Sequence, residues 1–145
     1  MNYQEILERG NRALKTNKIK NPNLDSELIL SKVLNKTREQ ILINFNDFIN
    51  QKQLQKFNNY LSRRKKNEPM AYILGIKHFW KYKFLINNSV LIPRPDTEIV
   101  IEESLKFIKY NKSKKILDIG TGSGCIVISL LKERPKCTAT ALDIS

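Results

Sequence analysis

Over the first 75 residues apolar side chains recur every three to four positions, and the polar stretches between them carry helix-starting signals. Tyr3, Ile6, Leu7, Ala13 and Leu14 share one face of a first predicted helix, with Asn21-Pro22-Asn23 as its break. Leu24, Leu28, Val33 and Leu34 mark a second, whose early acids Asp25 and Glu27 suit the positive end of a helix dipole. Thr37 followed by Gln40 has capping-box spacing and predicts a short helix to about Ile43. Asn50 to Lys66 predicts a longer helix with Leu54, Phe57 and Leu61 inward. Its end, Arg63-Arg64-Lys65-Lys66, suits either neutralisation of a helix C-terminus or a binding patch, and both readings stay open.

After Glu68–Gly75, a helical turn closed by glycine, the period shortens. His78 to Ile92 is aromatic and β-branched with Asn87-Asn88 at its middle, which predicts a hairpin. Pro93 and Pro95 fix φ and remove donors, so the chain there is irregular. Pro95-Asp96-Thr97-Glu98 then opens a helix to about Tyr110, with Asp96 or Thr97 as its side-chain cap. A polar loop, Asn111–Lys114, leads to the strand Lys115–Ile119, an apolar helix from Cys125 to Leu131, and a second strand, Thr138–Leu142.

The junction after the first of those strands carries the chemistry. Asp118 is followed by Gly120, Gly122 and Gly124 at alternate positions, with Thr121 and Ser123 between them, and Asp143 stands at the end of the next strand. Glycines let the backbone turn sharply and approach a ligand, and the helix start beyond them leaves N–H groups unpaired. Strand, glycine loop, helix, strand and acid form one nucleotide-binding βαβ unit. The dinucleotide pattern requires a small residue where Cys125 stands, three positions after Gly122, and a pyrophosphate disfavours a carboxylate directly before the loop. A ligand with an ammonium group and a sulfonium tolerates Asp118. No Lys-Ser or Lys-Thr follows the glycines, which excludes a P-loop. The plain alternative is a glycine-rich turn with Asp143 on the surface.

Composition changes little of this. An apolar content of 41% supports a globular core, and no apolar run approaches the ~20 residues that span a bilayer. The N-terminus shows no basic segment followed by an apolar one, so no secretory signal is read and the cytoplasm is the expected compartment. His78 is the only histidine, and Cys125 and Cys137 stand apart, which argues against a metal site or disulfide framework. Cys125 opens the helix after the glycines, where amides could lower its pKa, although a packed thiol is the simpler role. The net charge of +12 would suit a nucleic-acid or ribosomal partner. Nineteen lysines accompany fifteen asparagines and eighteen isoleucines, however, as a compositionally biased genome would also give.

Three blocks together are more specific than any one. Glu68-Pro69-x-Ala71-Tyr72-Ile73-Leu74-Gly75 with Phe79-Trp80, then Pro93-Arg94-Pro95-Asp96-Thr97-Glu98, then Leu117–Gly124 resemble the HemK-type release-factor glutamine methyltransferases, in that family's order and spacing. The resemblance implies an α/β protein. Its parts are an all-helical substrate-recognition domain (1–75), a β-hairpin linker (76–93) and the start of a Rossmann-like S-adenosylmethionine-dependent methyltransferase domain (94–145). It implies methyl transfer to the side-chain amide nitrogen of the glutamine in the Gly-Gly-Gln motif of peptide-chain release factors, by a monomer with no metal and no membrane contact. Gly120, Thr121, Gly122, Ser123 and Gly124 would contact S-adenosylmethionine, with Asp118 beside them, and Asp143 would bond its ribose. Pro93, Arg94, Asp96 and Thr97 would border the substrate pocket.

The family's Asn-Pro-Pro-Tyr motif, which grips the glutamine amide, does not occur in the 145 residues. The expectation is therefore an N-terminal part of a longer enzyme, with no catalytic residue in this segment and no turnover by it alone. An adenine N6-type nucleic-acid methyltransferase and a non-catalytic module that binds a release factor or the ribosome are the rival readings.

Overall fold

The computed structural model describes residues 1–144. The chain divides into two compact units, Met1–Leu74 and Gly75–Ser145.

The first unit contains five helices: α1 (Tyr3–Thr16), α2 (Pro22–Leu34), α3 (Arg38–Ile43), α4 (Gln51–Lys65) and α5 (Met70–Leu74). Three of them start in the same way. Asn2, Thr37 and Asn50 each accept the amide of the third helical residue, and Glu5, Gln40 and Gln53 reach back to the cap amide. Each reciprocal pair satisfies two donors that a helix start otherwise leaves unpaired. Tyr3, Ile6, Leu14, Ile29, Leu30, Ile41, Phe57 and Ile73 form the core. Helices α1 and α2 cross at Gly10, where an added Cβ would stand 2.1 Å from Ser26 Oγ and 3.0 Å from Phe57.

Two expectations change here. Pro22 does not end α1; it is the first residue of α2, where a missing N–H costs nothing. The break comes earlier, at Asn17 and Lys18, and Lys18 has φ of +57°. The buried face of α2 is Asp25, Ser26, Ile29 and Leu30, while Leu24 is exposed. An acid can face inward because Arg64 meets it: Arg64 Nε lies 2.7 Å from Asp25 Oδ2. Arg63 likewise binds Glu68 and holds its carboxyl below the usual range. Two cations of the basic helix end are thus structural, and Lys65 and Lys66 are exposed.

The second unit opens with the antiparallel hairpin β1 (Ile76–Phe79) and β2 (Tyr82–Leu85), paired from Ile76↔Leu85 to Phe79↔Tyr82. Its turn is Trp80-Lys81, not Asn87-Asn88. The asparagines do form a turn, in which Asn87 Oδ1 accepts the Ser89 amide at 2.9 Å, but it follows the hairpin. Trp80 takes a φ of +54°, disfavoured for a bulky side chain. Bonds from outside the hairpin hold it: Glu98 Oε1 accepts its backbone amide at 2.8 Å, and Glu133 Oε1 accepts its indole N–H at 2.9 Å.

A 3-10 turn over Pro95–Thr97 runs straight into α6 (Glu98–Phe107). Thr97 is already helical, its amide bonds Arg94 O at 3.1 Å, and neither Asp96 nor Thr97 supplies a side-chain cap. Helix α6 stops before Tyr110, with Ile108 extended. Strands β3 (Lys115–Ile119) and β4 (Thr138–Leu142) pair in parallel from Lys115↔Thr138 to Ile119↔Leu142, joined through α7 (Cys125–Glu133). Ile101, Val127 and Leu130 are buried in this unit, while Leu117, Ile119 and Leu142 are exposed on the strands. The architecture is a helical region, a hairpin and the beginning of a Rossmann-like fold.

Candidate cofactor site

The carboxyl ends of two neighbouring parallel strands, with a helix starting between them, converge on the loop Gly120–Gly124. Its three glycines have φ of +77°, +53° and +72°. Gly120 and Gly122 have nothing within 4 Å of an added Cβ, so their backbone borders open space. At Gly124 an added Cβ would stand 2.9 Å from the end of the Ile128 side chain.

Each end of the loop is tied down. Leu142 O accepts the amides of Gly120 at 2.8 Å and Thr121 at 3.1 Å, which binds the loop's entry to the end of β4. Thr121 Oγ1 donates to Asp118 Oδ2 at 2.8 Å, and Gly124 N closes a turn on Thr121 O. Gly122 N donates to Asp143 Oδ2 at 2.6 Å, bringing the two strand-end acids onto one loop. Beyond it, Gly124 caps α7 with no side-chain hydrogen bond. No side chain therefore satisfies the helix's first amides.

Beside the loop, Ile119, Gly120, Leu142, Asp143 and Ile144 line an open concavity of about 400 Å³. Ser123 joins Leu85, Ile86, Asn87 and Val90 around a smaller hollow of about 170 Å³. Burial pushes the Cys125 thiol upward in pKa, and its bond with Ser123 only partly opposes this, so Cys125 is a packed thiol rather than an activated one. Pro93 is buried, whereas Arg94 and Asp96 are exposed. No cluster of His, Cys, Asp or Glu fit for a metal ion occurs among the described residues.

A family described as the PrmC N-terminal domain matches residues 5–75. Over 124 residues the chain is 45% identical to a release factor glutamine methyltransferase of Buchnera aphidicola, covering 84% of this chain and 44% of that one. This is a HemK/PrmC-type chain. It is also 41% identical over 126 residues to the release factor glutamine methyltransferase of Coxiella burnetii, covering 87% and 46% of the two. To the bifunctional methyltransferase of Rickettsia typhi it is 39% identical, with 98% and 31% covered. The chain spans less than half the length of these relatives.

In this HemK/PrmC-type chain two further residues, Glu133 and Glu98, brace the hairpin. Glu133 accepts from Trp80 Nε1, from Tyr82 Oη at 3.2 Å and from Lys81 Nζ at 2.9 Å. These donors, Lys81 first, hold its carboxyl below the ordinary range. Glu98, inside the Pro93–Glu98 block, fastens the hairpin turn to the start of α6. Nothing in the spacing announced either, because the partners are 18 to 53 positions apart.

Proposed function

We propose that this HemK/PrmC-type chain contributes the methyl-donor site of an enzyme that methylates the side-chain amide nitrogen of the Gly-Gly-Gln glutamine in release factors. The observation that carries the reading is the glycine loop with Asp118 and Asp143 both drawn onto it, in a chain similar to proteins of that name.

The loop fits S-adenosylmethionine. Open space faces Gly120 and Gly122, an acceptor stands at each strand end, and the concavity beside Asp143 has an apolar wall from Ile119 and Leu142. Gly120 to Gly124 would lie along the methionine portion, Asp118 would face its ammonium side, and Asp143 would take the ribose hydroxyls. Bound there, the cofactor supplies an electrophilic methyl group on a sulfonium.

An amide nitrogen is a poor nucleophile because its lone pair is shared with the carbonyl. Its methylation depends on aiming the nitrogen in line and on acceptors that draw lone-pair density toward it. No Asn-Pro-Pro-Tyr sequence stands among these 145 residues. In this reading residues 115–145 hold the donor, Pro93, Arg94, Asp96 and Thr97 border the entrance, and residues 1–75 dock the protein substrate. The protein works as a cytoplasmic monomer.

The test is incubation of the complete gene product with methyl-labelled cofactor and either a release factor or nucleic acid. Label recovered on a release-factor glutamine is the expected result. Label on nucleic acid alone would replace the reading with an adenine-type methyltransferase. Release-factor binding with no transfer would leave a docking module.

A further inference from the structure

At the end of the β3–β4 pair opposite the glycine loop, the surface has a different chemistry. The four residue steps of β3 separate the two ends by about 13 Å. The chain from Leu105 to Leu117 contains Lys106, Lys109, Lys112, Lys114 and Lys115 and no carboxylate. Lys106 is occupied by Glu103 at 2.5 Å. Lys109, Lys112, Lys114 and Lys115 are exposed and enter no ion pair among the described residues. Tertiary structure adds a fifth. Thr138 N bonds Lys114 O at 3.0 Å and Cys137 Sγ contacts Lys112 O, which brings exposed Lys136 beside the segment.

Two aromatic rings stand within this cluster, Phe107 81% exposed and Tyr110 61% exposed. Arg134 anchors the end of α6 and the loop after it, which carry these rings, donating to Leu105 O at 3.0 Å and to Ile108 O, with its guanidinium 5.9 Å from the Tyr110 ring centroid. The loop is thus fixed from beneath while its lysines and rings face solvent. A general abundance of lysine explains how many there are. It does not explain their separation from acids or the exposed rings among them.

We propose that Lys109, Lys112, Lys114, Lys115 and Lys136, with Phe107 and Tyr110, form a contact surface for single-stranded RNA. Point-like ammonium groups suit a phosphate backbone, and aromatic faces offer stacking to any base. The exposed rings separate the two candidate polyanions: single-stranded bases have flat faces to stack on Phe107 and Tyr110, and a carboxylate-rich peptide has none.

The test is fluorescence anisotropy of a labelled 20-nucleotide uridine RNA against the chain and two lysine-to-glutamine triples. Lys109→Gln, Lys112→Gln and Lys114→Gln together should weaken binding about tenfold or more and lower the slope of log affinity against log salt by about two, at roughly 0.7 per phosphate contact on a single strand. Lys52→Gln, Lys56→Gln and Lys65→Gln remove the same charge elsewhere and should change affinity less than threefold. Phe107→Ser with Tyr110→Ser should weaken binding several-fold and leave the salt slope intact. Equal losses from both triples would reduce the effect to net charge and overturn the proposal. So would equal affinity for poly-glutamate, no response to loss of the rings, or no RNA binding by the parent chain. Unchanged melting of the variants confirms that each is folded.

Discussion

Gly10 and Ser26 show how a single contact sets the tolerance of a helix crossing. An added methyl at Gly10 would collide with Ser26 Oγ and press on Phe57, two side chains held inside the core. Gly10→Ala should therefore cost about 1–3 kcal/mol through overpacking, read as a lowered denaturant midpoint. Ser26 Oγ is buried with no hydrogen-bond partner, so Ser26→Ala removes an uncompensated polar atom and should be neutral or stabilising in the same assay. Asp143 is the corresponding residue in the cofactor site. It accepts the Gly122 amide and, in our proposal, the ribose. Asp143→Ala should weaken S-adenosylmethionine binding by about 1–3 kcal/mol in calorimetry. Unchanged affinity would move the ribose acceptor to another residue.

Among elements, the hairpin depends most on contacts outside itself. Four residues per strand and a Trp80 turn at positive φ make β1–β2 weak on its own. Glu133 gathers three donors from the turn and the start of β2, and Glu98 takes the turn amide. Because these donors hold the Glu133 carboxyl below its ordinary value of 4.5, the ionised form favours the folded state. Their contribution is complete above that ordinary value and is lost as pH falls through the lower, folded-state value. Glu133→Gln should lower stability at pH 7 by about 1–2 kcal/mol. The gap from the parent should close as pH drops below about 4.5, with Trp80 fluorescence reporting hairpin release. A constant gap across that range would show that the charge is irrelevant to the clamp.

Over the whole molecule the two units differ in how they bury apolar surface. Met1–Leu74 encloses its core among five helices. In the second unit the β3–β4 pair presents Leu117, Ile119 and Leu142 to solvent, and no third strand joins it among the described residues. An open strand edge with an apolar face is a template for association. The 145-residue chain should bind an apolar dye there, and Leu117→Lys should reduce dye binding while the helical unit melts unchanged. No helix among the described residues is long and apolar enough to cross a membrane.

Local codes were legible in the residue order. The capping pair at Thr37, the glycine-fixed loop after Asp118 and the two strands around it depend on neighbours within a few positions or on backbone freedom that only glycine has. Those features hold wherever the segment is placed. What tertiary structure decided was every choice in which a distant partner outweighs local preference. Arg64 lets Asp25 face the core, Glu98 and Glu133 place the hairpin turn at Trp80 instead of at the asparagines, and the run of Lys114 beside Thr138 brings Lys136 to the lysine loop. A buried charge or a strained turn is unfavourable alone and becomes stable only when its partner arrives from elsewhere in the chain. That is why the glycine loop could be read from sequence, while the clamp that braces the hairpin against its helix could not.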